Sequence, residues 1–182
     1  MSLRLFAALD IPDDIAARLL PLQKGVAGAK WRPRENLHVT LRFFGEVAEP
    51  VADDIDGELS AIADRHGPFE IALKGAGAFG GADPHTLWMG VTESEALKRL
   101  AADCERAARR VKLKPEAHAF KPHVTMAYLS NAPLDRVHSF EQRFALFETP
   151  PFRVERVGLY SSFMRKSAPS LYRLEAEYVL HG

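Results

Sequence analysis

The stretch His38-Val39-Thr40-Leu41-Arg42-Phe43 returns later in the chain as His123-Val124-Thr125-Met126-Ala127-Tyr128. With only seven histidines in 182 residues, a chance second His-Val-Thr is expected in roughly one such sequence in a hundred, so the echo reads as an internal repeat. Apolar, β-branched and aromatic residues lie between the polar ones, which predicts a strand for each copy. Strand side chains alternate between two faces. His38, Thr40 and Arg42 are therefore expected on one face, with Val39, Leu41 and Phe43 on the other. His123 and Thr125 likewise share a face, opposite Val124, Met126 and Tyr128. Each strand offers an imidazole beside a hydroxyl on one side and an apolar surface to bury on the other. Two such strands meeting would assemble one active site.

Working outward, Leu3 to Leu9 predicts an apolar strand, and Asp13-Asp14 opens a helix running to about Lys24. Val51, Ile55, Leu59 and Ile62 recur at three- and four-residue spacing, an amphipathic helix from Pro50 to about Arg65. Phe69 to Leu73 and Thr86 to Val91 read as strands. Ser94 caps the most regular helical stretch, Glu95 to Val111. Pro133 to Phe147 suggests a short helix, and Phe152 to Tyr160 and Leu171 to Leu180 two closing strands. In the last strand Tyr172, Leu174, Ala176 and Tyr178 are expected on one face. The mixture lacks the regular alternation of a doubly wound sheet. It predicts an α+β fold of two pseudo-symmetric lobes, with mostly antiparallel sheets, helices outside and a cleft between. No linker divides the chain, so residues 1–182 form a single bilobal domain.

Lysine plus arginine and aspartate plus glutamate balance at 24 each, so no global basic field advertises a long nucleic-acid footprint. The lone Cys104 excludes an internal disulfide and sits among Leu97, Leu100, Ala101, Ala108 and Val111 as a core thiol. The early apolar run is too short for a signal peptide or membrane span. The expectation is a soluble, cytoplasmic monomer with no membrane partner.

Two imidazoles, with an ordinary pKa near 6.5, suit a reaction that takes one proton and gives another. A hydroxyl two residues along the same face can donate to an oxyanion held between the rings. The pattern fits attack at phosphorus. Of the other histidines, none falls in a paired metal-ligand spacing, and only His118 is near enough in sequence to join His123. No metal or other cofactor is expected. Gly75 to Gly80 match G-x-G-x-x-G, but Gly81-Ala82-Asp83-Pro84 and then a strand follow, so the run reads as a strand end or bulge. Lys30, Arg32, Arg34 and Lys121 flank the motifs and could neutralise a phosphate, with Trp31 or Phe43 stacking on a base. Core packing is the better reading for Trp31. Arg42 is the leading phosphate candidate because it is expected on the face of His38. Arg165 and Lys166 belong to a loop that sequence alone does not place.

The pair HVTL at 38–41 and HVTM at 123–126 resembles the two-histidine phosphoesterase superfamily, within it the bacterial RNA 2',3'-cyclic phosphodiesterases, or 2'-5' RNA ligase-like proteins. RLFAALDIP, WRPRENLHVTLRFFGEV, TLWMGV, FKPHVTMA and VGLYSS extend the likeness in order along nearly the whole chain. The resemblance implies metal-free hydrolysis of a 2',3'-cyclic phosphate at an RNA end, or on a small nucleotide, to a 2'-phosphate. His123 would be the base and His38 the acid, with Thr40 and Thr125 on the non-bridging oxygens. It also implies a reverse reaction that joins RNA ends through a 2'-5' bond. Two other functions compete: a non-catalytic RNA- or nucleotide-binding module with the same cleft, and a metal-dependent hydrolase.

Overall fold

A computed structural model describes all residues, 1–182. Its strands are β1 (Ser2–Asp10), β2 (Ala29–Trp31), β3 (His38–Ala48), β4 (Phe69–Ile71), β5 (Leu73–Phe79), β6 (Thr86–Val91), β7 (His123–Leu129), β8 (Phe152–Val154), β9 (Arg156–Phe163) and β10 (Leu171–Val179). The helices are α1 (Asp13–Leu19), α2 (Glu49–Arg65), α3 (Glu95–Arg110) and α4 (Leu134–Arg143). Eight strands form one sheet in the order β10-β9-β1-β3-β7-β6-β5, with β2 added beside β7, while β4 and β8 pair separately. All these pairings are antiparallel.

The expected mixed fold is what the chain adopts, with a difference in how its halves are joined. The units β1-α1-β3-α2 and β6-α3-β7-α4 repeat one another, flanked by β9 and β5 at matching places in the sheet. The halves share a continuous sheet and one apolar core. That core takes Ile15 from α1, Ile55 from α2, Leu100 from α3 and Val137 from α4 against Leu5, Val39, Met89 and Val124 of the strands. The helical layer thus covers one face of the sheet. In α3 the Ser94 hydroxyl accepts the Leu97 N–H at 3.1 Å, and Leu97, Leu100, Cys104 and Ala108 bury the stripe that the sequence spacing dictates.

Some boundaries move for local reasons. The first helix stops at Leu19, and a 3-10 turn follows over Leu20–Leu22, because Pro21 lacks the N–H needed to continue the α ladder. Phe69 to Leu73 is split: β4 pairs with β8, and Leu73 begins β5 in the large sheet. Phe152 to Tyr160 is likewise interrupted at Glu155.

The repeated motif carries a feature that alternation alone does not reveal. Ala8 pairs with Thr40 and Ala7 with Arg42, so Leu41 is an extra residue in β3. Trp88 pairs with Thr125 and Leu87 with Ala127, so Met126 is the extra residue in β7. A bulge after each His-Val-Thr shifts the phase by one. Arg42 now follows Ala7 toward the helices, whereas Phe43, paired with Phe6, turns to the open face. Ala127 and Tyr128 repeat this switch. Phe44 is a second extra residue in β3, and a further shift, at Glu175, separates Tyr172 and Leu174, paired with Ser162 and Tyr160, from Ala176 and Tyr178 on the core side.

Candidate active site

The two motif strands are joined by a single ladder pair, Val39 with Val124, both fully buried. In an antiparallel pair this register sets His38 opposite Thr125 and Thr40 opposite His123, all four on the face away from the helices. The histidines are then diagonal neighbours, roughly 7–8 Å apart at the backbone. Their rings can converge on one tetrahedral phosphorus group. Beyond that pair, β2 lies against the far end of β7.

Each ring has its own walls. His38 is 8% exposed, with Tyr160 at 4.7 Å, Tyr172 at 5.5 Å and Phe6 at 6.1 Å between ring centroids. This desolvation lowers its pKa to about 4, opposing Asp10 and reinforced by the Arg34 and Arg32 charges. His123 packs edge-on to Phe79 at 5.0 Å and near Trp88 at 6.2 Å. Its pKa is lowered by burial and, to a lesser degree, by the Lys121 ammonium, while the Lys121 carbonyl pulls the other way. That carbonyl lies 2.7 Å from Nδ1. A carbonyl only accepts, so Nδ1 carries the hydrogen and Nε2 of the neutral ring keeps its lone pair for the open face. The corresponding carbonyl near His38 is that of Asn36, which favours the charged ring, but Nδ1 makes no hydrogen bond of good geometry.

Gly77 and Gly158 occupy matching positions, paired with Trp88 and Ala8. A Cβ on Gly77 would run into the Trp88 ring, and one on Gly158 into Tyr160. Each glycine therefore leaves room for an aromatic wall.

The model for the 2'-5' RNA ligase superfamily matches residues 11–162. The chain belongs to the 2'-5' RNA ligase superfamily. Over 163 residues it is 34% identical to a protein of Archaeoglobus fulgidus named RNA 2',3'-cyclic phosphodiesterase, covering 85% of this chain and 90% of that one. A protein of the same name from Aeropyrum pernix is 35% identical over 148 residues, covering 78% and 83%. Among solved structures, one from Thermus thermophilus superposes with a TM-score of 0.83 at 26% identity, covering 98% of each chain. Escherichia coli LigT complexed with 3'-AMP shares the fold with a TM-score of 0.78 at 21% identity, over the whole of both chains.

In this member of the 2'-5' RNA ligase superfamily the basic residues are distributed differently from the alternation pattern. Arg42 is a correction: the Leu41 bulge turns it from the histidine face to the helical layer. There Nε meets Glu105 at 2.5 Å and Nη2 donates to the Lys114 carbonyl at 2.7 Å. Arg34 is held by Asp13 at 2.9 Å and Asp10 at 3.6 Å. Lys30 is exposed on β2, and Arg165 donates to the Pro169 carbonyl. Trp31 packs against Phe140, as core packing predicts. Lys121 sits over the Trp88 ring at 4.7 Å. Cys104 is fully buried, and desolvation pushes its thiol up to about 12, so it is packing rather than a nucleophile. The Gly75–Gly80 run lies mainly in β5, with a register shift between Leu73 and Ala76. No three His, Cys, Asp or Glu side chains converge as a metal-ligand group, and no helix is long and apolar enough to cross a membrane.

Sequence reasoning offered Phe43 for base stacking but set it, like Tyr128, on the face opposite the histidines, and it missed the walls Phe6, Tyr160 and Tyr172. Phe43 and Tyr128 had a signal: an aromatic residue stands five positions after each motif histidine. The walls come from strands whose adjacency to β3 only the fold reveals.

Proposed function

We propose that the chain hydrolyses 2',3'-cyclic phosphate ends of RNA, or of small nucleotides, to 2'-phosphates. The observation that carries this reading is the diagonal pair of His-x-Thr motifs on one open face across Val39 and Val124. The relatives' name, RNA 2',3'-cyclic phosphodiesterase, supports the same chemistry.

In this mechanism His123 Nε2 takes a proton from water as its oxygen attacks phosphorus. The bond to the 3'-oxygen breaks on the opposite side, and His38 Nε2–H supplies the proton that oxygen needs. Thr40 and Thr125 donate to the non-bridging oxygens. A bound phosphate anion raises both imidazole pKa values by direct charge interaction, which is how the desolvated His38 acquires its proton. With the 5'-hydroxyl of a second RNA end in place of water, the same base and acid open the cyclic phosphate into a 2'-5' bond and release the 3'-hydroxyl.

The test is turnover of an oligonucleotide ending in a 2',3'-cyclic phosphate, followed with and without EDTA. His38→Ala and His123→Ala should each lower turnover by at least about 100-fold, the lower end of what a positioned acid or base contributes. EDTA should change nothing. Undiminished turnover in either variant removes the mechanism, a chelator-sensitive rate favours a metal hydrolase, and binding without product favours a non-catalytic module.

The deeper desolvation of His38 supports a second allocation, with His38 as base and His123 as acid. A p-nitrophenyl phosphodiester needs no proton on its leaving group. Activity on it should survive His38→Ala in the first allocation and His123→Ala in the second.

A further inference from the structure

Three arginines surround the first motif, and two of them are neutralised. Arg34 is paired with Asp10 and Asp13, and Arg42 with Glu105. Arg32 is different: it is 6% exposed, yet no carboxylate lies within ion-pair distance. Its backbone N–H donates to the Met126 carbonyl at 2.8 Å, and its own carbonyl accepts from Gln23 at 2.8 Å. The residue is thereby fixed beside the second motif. Its guanidinium lies 4.9 Å from the centre of the Tyr128 ring and donates to the Tyr172 hydroxyl at 3.4 Å. Tyr128 belongs to the strand of His123, and Tyr172 is a wall of His38. The charge therefore stands on the open face, spanning both halves of the site.

A buried cation without a counter-charge is costly, since desolvation is offset here only by one long neutral hydrogen bond and a ring face. A planar fork of donors so placed matches the geometry of phosphate oxygens. We propose that Arg32 is the residue that holds the substrate's phosphate, with the anion as its missing counter-charge. The substrate identity rests on the cyclic phosphodiesterase reading; the anion site itself does not.

The experiment compares wild type with Arg32→Met, Arg32→Lys and Arg42→Met. It measures KM for a 2',3'-cyclic-phosphate oligonucleotide, the Kd of inorganic phosphate by NMR titration, and the melting temperature. Losing charge-assisted hydrogen bonds predicts that Arg32→Met raises KM and the phosphate Kd by about 10- to 100-fold. Its melting temperature should stay level or rise, because an unpaired buried charge has gone. Arg32→Lys should recover part of the affinity as a point charge. Arg42→Met should lower the melting temperature and leave KM within twofold of wild type.

Wild-type KM and phosphate affinity in Arg32→Met would overturn the proposal, even with the enzyme fully active. If wild type binds phosphate through Arg32 but releases no 2'-phosphate, the anion site stands and the cyclic phosphodiesterase reading falls. If it neither binds nor turns over, both fall.

Discussion

At the scale of single residues, His38 links the site to the stability of the protein. Its pKa is about 4 in the folded chain, against 6.5 for a free imidazole. Between these values the unfolded state binds more protons, so the stability present above pH 6.5 is lost as pH falls toward 4. The contribution is about 3 kcal/mol. Urea unfolding of wild type should show this extra slope across the window, and His38→Gln should lack it; parallel slopes would contradict the assignment. Arg42 gives the opposite kind of test. It ties Glu105, the Lys114 carbonyl and the Phe43 carbonyl together beneath the sheet. Arg42→Met should cost about 2–4 kcal/mol by leaving a partly buried carboxylate short of its partner, measured by chemical denaturation. The histidines and threonines were legible as residues because their spacing is short and repeated. Arg42 and Arg32 were not, because both lie near the motif and only their tertiary partners distinguish them.

At the scale of elements, most strands were legible and their faces only in part; β2 lies in a stretch that reads as a loop, and most of β5 in a glycine-rich run that reads as a strand end. Period-two alternation holds from His38 to Thr40 and from His123 to Thr125, then fails at Leu41 and Met126, where one additional residue enters each strand. It fails again at Glu175. Nothing in composition marks these places: Leu and Met are ordinary strand residues, and the bulge exists only relative to the neighbouring strand. α3 was legible almost to the residue, since its cap and apolar stripe are local properties. The glycines of the outer strands offer a test at this scale. In Gly77→Ala the new methyl collides with Trp88, whose strand position is opposite Thr125. Crowding of this sort costs about 1–3 kcal/mol. The variant should melt lower and lose kcat more than substrate affinity; unchanged kcat would show that the Trp88 wall does not position the motif.

For the whole molecule, the repeat predicted two similar halves, and the structure joins them through one sheet and one core of 39 buried residues. Unfolding should therefore be a single cooperative transition by fluorescence and by circular dichroism alike. Separate midpoints would mean that the halves melt independently. The halves are also nested. The strands around His123 run uninterrupted from β5 to β7, whereas those around His38 come from both ends of the chain, β1 and β3 first and β9 and β10 last. Translation thus delivers both motifs well before Tyr160 and Tyr172 exist. A ribosome-bound chain that has emerged only through α4 holds both imidazoles, but its first is still wet and its Arg32 has no Tyr172 to meet. The competent surface is finished only when β9 and β10 follow α4, and a stop codon just after α4 would leave His38 with Phe6 alone as a wall while sparing the surroundings of His123.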